Sequence, residues 1–167
     1  GYFPGWNESP ADARALWAMV DALCDEDEHL GAGSFVHHAE ARRYFRHGKG
    51  ATGDRFGLAG TGRLRAVEQQ QRITGQANSA SCFNLVGAAQ VGKSSLTGMR
   101  VLHRLAGRIP VWPFDPVPES GPVIVEIYTT IAARAAGRGL SRSKVRDADG
   151  LHAALEALGA QPPAPLT

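Results

Sequence analysis

Lysine is scarce in this chain. Lys49, Lys93 and Lys144 are the only three among 18 basic residues, and the rest are arginine. Cysteine is scarcer still: Cys24 and Cys82 lie far apart, with no CxxC or CxxH pair, which excludes a clustered structural zinc site. The two thiols fall on the apolar face of an expected helix and at the start of an expected strand. They read as buried thiols of a reducing compartment. No stretch approaches 18 consecutive apolar residues and no signal-peptide pattern is present, so the expectation is a cytoplasmic protein without membrane contact. An excess of one charge is also missing. Eighteen basic residues face 16 acidic ones, net +2, too mild to demand a nucleic-acid partner on charge alone. The abundance of arginine, alanine and glycine is read as a base-composition effect rather than a phosphate-binding signature. The chain opens at Gly1 without a methionine, and the expectation is that processing or truncation has removed an earlier segment.

With 167 residues, 43% of them hydrophobic, the chain has enough apolar surface for a real core. The expected organisation is one α/β domain over 1–160 and a disordered proline-rich tail over 161–167. An aromatic loop (Tyr2, Phe3, Pro4, Trp6) leads to Ser9 as N-cap, Pro10 at the first helical position and Asp12 closing a capping box. The helix over 10–24 then buries Leu16, Val20, Leu23 and Cys24. His37 and His38 open a short helix over 39–47; adjacent histidines diverge on a helix and do not chelate by themselves. The glycine-rich stretch 48–62 reads as a loop, and a helix over 63–74 shows a polar outer face of Glu68, Gln69, Gln70 and Gln71. The second half alternates: a strand over 82–86, a helix over 94–106, an extended piece over 109–112, a proline-rich loop, and a near-continuous apolar strand over 123–128. A short helix over 130–136 and a final one with Leu151, Leu155 and Leu158 complete an α/β pattern.

Residues 87–94, Gly-Ala-Ala-Gln-Val-Gly-Lys-Ser, match the phosphate-binding pattern G-x-x-x-x-G-K-[ST] in full, between an expected strand and an expected helix. On that reading Gly87 and Gly92 shape the loop, Lys93 reaches the β- and γ-phosphates, Ser94 binds Mg²⁺, and the cofactor is ATP or GTP. The rest of the chain fits it poorly. Only 74 residues follow Lys93, with one convincing strand among them. The carboxylate that holds Mg²⁺ through water would be Glu126 or Asp115; Asp115 sits between prolines, and aspartate is the usual residue where Glu126 stands.

Several other segments, in order, resemble a predicted nuclease family of unknown function with an RNase H-like fold. They are Leu30-Gly31-Ala32-Gly33-Ser34-Phe35-Val36 with Arg42-Arg43, Thr74-Gly75, Phe83 to Gly92, Val111-Trp112-Pro113-Phe114-Asp115, Val123 to Tyr128, and Ser143-Lys144 with Asp147 and the final helix. The resemblance covers about 30–159. It implies an RNase H-like mixed sheet flanked by helices, incomplete at its N-terminus, because the family's opening acidic strand would precede Gly1. It makes 87–94 a strand-to-helix turn in which Lys93 is incidental. A sheet without its opening hairpin leaves an edge for a second copy or an N-terminal segment to cover.

The resemblance further implies Mg²⁺ or Mn²⁺ held by Glu126, Asp147 and Asp149, catalytic roles for Glu126, Asp147 and Lys144, and a nucleic-acid partner, with Arg142 as a further phosphate contact. Glu126 is costly inside an apolar strand unless it is paired, metal-bound or at the sheet's end. For Asp147 and Asp149 an N-cap role is the favoured reading of the residues themselves. Three readings therefore stand: a metal-dependent nuclease, an NTPase working through Lys93, and a binding module without catalysis.

Overall fold

The computed structural model describes residues 2–48, 50–57, 63–77, 79–87, 91–138 and 145–159. Its contacts divide the chain into two compact units. One comprises Gly1–Gln69 with Ser79–Val125, the other Gln70–Asn78 with Glu126–Thr167.

In the first unit, α1 spans Ala13–Leu23. Its cap is Asp12, whose carboxylate accepts from the Ala15 N–H at 2.9 Å. Ser9, the expected cap, instead accepts from the Phe3 N–H at 2.8 Å, so the helix begins three residues later than expected. Ala13, Leu16, Trp17 and Val20 are buried at the three- and four-residue spacing of one helical face. Cys24 follows, fully buried, and its Sγ accepts from the Phe35 N–H at 3.2 Å. Burial pushes the Cys24 thiol up from its ordinary range. Cys82 is only half-buried.

The short helix α2 (Gly33–His37) and a 3-10 turn at Ala41–Tyr44 lead into β1 (Arg46–Gly48), where a helix over 39–47 was expected. Tyr44 and Phe45 are consecutive and both enter the core; the extended backbone at Phe45 achieves this where a single helical face does not. β1 pairs antiparallel with β2 (Ala51–Thr52). A parallel bridge joins Arg46 to Asn84. That bridge is all that forms of the strand expected over 82–86. Phe83 and Leu85 do alternate inward, but residues 81–84 close a turn through the Asn84 N–H on the Ser81 carbonyl.

α3 (Ala66–Ile73) follows, and the expected polar face is broken by Glu68, which is 3% exposed and held by Arg65. α4 (Gly92–Leu105) packs along α1. β3 (Val111–Trp112) runs parallel to β4 (Ile124–Val125). The apolar run 123–128 thus contributes two strand residues. Its partner ends at Pro113, which has no N–H to offer, and the Val111 N–H bonds the Asp115 carboxylate at 2.8 Å. Ile127 and Tyr128 are exposed.

The main core is aromatic although aromatics are only 7% of the chain: it gathers five of the six phenylalanines with Trp6 and Tyr44. Phe3 alone meets Trp6, Phe35, Tyr44 and Phe83 with ring centroids 5.1 to 6.2 Å apart, tilted or edge-on as aromatic quadrupoles prefer. Arg100 of α4 is buried beneath this layer. Its Nε donates to Asp21 at 2.8 Å, and its Nη1 donates to the carbonyls of Gly31 at 2.5 Å and Asp27 at 3.3 Å. One side chain therefore ties α4 to α1 and to the loop after it.

The second unit holds α5 (Thr129–Ala135) and α6 (Ala148–Ala157). Asp147 caps α6, accepting from the Gly150 N–H at 2.7 Å. Of the three expected apolar positions on α6, Leu155 is half-buried and Leu151 and Leu158 are exposed. The chain is a mixed α/β protein, helix-rich with two-stranded sheets among the described residues. Residues 161–167 lie outside the described residues.

Candidate functional site: an apolar cavity beside α4

Gly92 begins α4, with Lys93 and Ser94 in its first turn. A Cβ at Gly92 would sit 2.6 Å from the Cys82 carbonyl oxygen and 2.7 Å from that of Asn84. The glycine is thus required for packing of the helix start on the preceding segment, whether or not a phosphate binds. Gly87 has φ +113°, in the region that favours glycine. Residues 88–90 lie outside the described residues. Lys93 is exposed, and Ser94 Oγ donates back to the Val91 carbonyl at 3.0 Å.

The acidic candidates Glu126, Asp147 and Asp149 belong to the second unit. Glu126 is exposed, just after β4. Asp147 has one carboxylate oxygen committed to the α6 cap, and Asp149 is an exposed residue of the α6 first turn. Among the described residues no three His, Cys, Asp or Glu side chains gather into a metal-binding group. Lys144 and Arg142 lie outside the described residues. Asp115 carries an ion pair with Arg14 and the Val111 N–H, which together hold its carboxyl below the ordinary range. It is a structural cap for the turn after β3.

What sequence reading did not anticipate is a cavity of about 470 Å³ in the first unit. One wall is a face of α4, with Gly92, Ser95, Leu96 and Met99 at three- and four-residue spacing. Phe3, Phe45 and Phe83 reach it from the aromatic core, and residues 63–66 close another side. Lys93 and Ser94 do not line it.

Two arginines line the cavity, and they differ. Arg65 is neutralised by Glu68, which accepts from the Arg65 backbone N–H at 2.8 Å and from its Nε at 2.9 Å. Arg63 is anchored through its backbone: its N–H donates to the Phe56 carbonyl at 2.7 Å and its carbonyl accepts from Ser81 Oγ at 2.5 Å. Its guanidinium lies 6.0 Å from the Tyr44 ring centroid, and its buried Nε has no hydrogen-bond partner among the described residues. A buried donor without an acceptor is costly, and Arg63 has no ion pair among the described residues to offset its charge. The spacing of Gly92, Ser95, Leu96 and Met99 was legible in the sequence; the arrival of Arg63 opposite them depends on the loop path before α3 and was not.

Among the described residues no helix is long and apolar enough to cross a membrane. No family model, curated protein or solved structure matches this chain.

Proposed function

We propose that the chain is a binding module for a small organic anion with an apolar body, held in the cavity beside α4. The observation that carries this reading is Arg63 on the lining of a mainly apolar cavity, with no ion pair among the described residues. The cavity volume lies in the range of small-molecule sites, roughly 300 to 1,000 Å³, and such sites pair apolar walls with a few convergent polar groups. A planar apolar body would fill the space along Leu96, Met99 and Phe83, and its anionic end would meet the Arg63 guanidinium. The test is titration of naphthalene-2-sulfonate against the uncharged 2-naphthol, followed by NMR at the amides of Gly92, Ser95 and Leu96. Saturable, anion-selective shifts at those positions support the reading.

A metal-dependent nuclease on an RNase H-like fold is the second reading, with nucleic acid as partner and Mg²⁺ or Mn²⁺ as cofactor. The parallel β3–β4 pair favours it, because it joins the two segments around Trp112 and Val125 that resemble adjoining elements of that family. Its acids would be Glu126, Asp147 and Asp149, with Lys144 beside them. The described geometry does not gather them: Glu126 is exposed and Asp147 caps α6. No catalytic step is therefore assigned to them. Calorimetric titration of Mn²⁺ into the chain and its Glu126→Gln variant decides the matter, since a nuclease centre requires binding that the variant loses.

A further inference from the structure

A second concavity, of about 270 Å³, lies in the first unit where the β1–β2 hairpin meets the end of α2. Its lining is basic: His37, Arg42 and His47, with residues 50–53. We propose that it is a binding site for a tetrahedral oxyanion, either free phosphate or the phosphoryl group of a larger molecule.

Three observations carry this. First, the charges are left over. Arg43, next along the chain, takes both nearby carboxylates, Asp54 at 2.7 Å and Glu40 at 3.2 Å. Among the described residues Arg42 has no ion pair and no carboxylate lines the concavity. Arg14, Arg65, Arg100 and Arg104 of this unit likewise hold carboxylates.

Second, the histidines are held in place. The His47 Nε2 lies 3.0 Å from the Arg42 carbonyl oxygen, which can only accept, so Nε2 carries a proton. The His47 ring stacks on that of His37, with centroids 5.7 Å apart and planes 21° apart.

Third, the floor is fixed. A Cβ at Gly53 would lie 2.2 Å from the Arg43 carbonyl oxygen, so the β2 end runs hard against the backbone that carries Arg42. The site is built from packed backbone rather than from a free loop. The presence of Arg42 argues for an anion and against a metal cation.

Among the described residues, the other charged or titratable groups on the elements packed here are His38, Glu40, Arg43, Tyr44, Arg46, Asp54 and Arg55. Glu40 and Asp54 are satisfied by Arg43, and the His38 ring is stacked on Trp6. This site shares no lining residue with the cavity beside α4 and stands or falls independently of it.

The test is NMR of histidine-labelled protein titrated with inorganic phosphate and, separately, phenyl phosphate. The site predicts saturable shifts of the His37 and His47 ring resonances, with those of His103 and His152 unmoved. Binding should be at least tenfold weaker in Arg42→Gln. Equal affinities would assign the site to phosphate itself, and tighter phenyl phosphate to a phosphoryl group on a larger body. Shifts that grow linearly, that are shared by all histidines, or that persist in Arg42→Gln overturn the proposal. A His37→Gln variant supplies the same comparison should Arg42→Gln lose its native spectrum; undiminished saturable binding there refutes the proposal as well.

Discussion

Replacing Arg100 by methionine should destabilise the protein by about 3 kcal/mol. The arginine is 1% exposed and makes three hydrogen bonds, to Asp21, Gly31 and Asp27. Methionine keeps much of the volume and removes all three. Two carbonyls are then left in a partly buried setting, each costing on the order of 1 kcal/mol when unsatisfied. Asp21 keeps a partner, because Arg104 donates to it at 2.9 Å, so the loss falls at or just below the roughly 3 to 5 kcal/mol of a fully broken buried pair. For a chain of this size about 3 kcal/mol lowers Tm by roughly 6 to 12 °C. Urea unfolding of the wild type, Arg100→Met, Asp21→Asn and the double variant would isolate the coupling between the two residues. A destabilisation below about 1 kcal/mol, or a cycle showing no coupling, would refute the claim that this side chain ties α4 to α1 and the 27–31 loop.

Acid stability should report the same pair. Burial alone would raise the Asp21 carboxyl, but hydrogen bonds from Arg100 and Arg104 outweigh it and hold the group below the ordinary range. A lowered folded-state value contributes stability above the unfolded value, about 3.9, that is lost as pH falls through the folded value. Tm should therefore drop between pH 5 and pH 3, and part of that drop should vanish in Asp21→Asn. Gly92→Ala should cost about 1 to 3 kcal/mol, because its Cβ would meet two carbonyl oxygens closer than 3 Å; a neutral effect in thermal unfolding would show that the helix start moves freely. Under the turn reading of 87–94, a fluorescent ATP analogue with Mg²⁺ should show no saturable binding. Binding that is lost in Lys93→Ala would establish a phosphate loop instead.

Helix locations were the most legible part of the fold. The apolar spacing over 13–23 and 92–105 comes from side chains on one face, and that information is local. Strand extents were not legible. The run 123–128 reads as a long buried strand, yet a strand is as long as its partner, and Pro113 and Asp115 end the partner after Trp112. The polar appearance of 68–71 concealed Glu68, whose burial depends on Arg65 folding back over it. Arg100 and Asp21 are 79 positions apart and look like ordinary surface charges in sequence. The candidate sites divide in the same way. Gly92, Lys93 and Ser94 stood out as a motif, and the cap at Asp147 was among the alternatives weighed for it. The cavity itself is made by long-range packing of Phe3, Phe45 and Phe83 against α4, and only one of its walls has a periodicity to read.

The most direct measurement is the affinity of naphthalene-2-sulfonate for the wild type and for two variants, Arg63→Gln and Ser95→Phe, by calorimetry. A site beside α4 predicts saturable binding to the wild type, at least tenfold weaker binding to Arg63→Gln, and none to Ser95→Phe, whose side chain occupies the cavity. Binding of 2-naphthol should be the same in the wild type and Arg63→Gln, since it carries no charge for the guanidinium to meet. Absence of binding to the wild type, or affinity unchanged by both substitutions, would contradict the account.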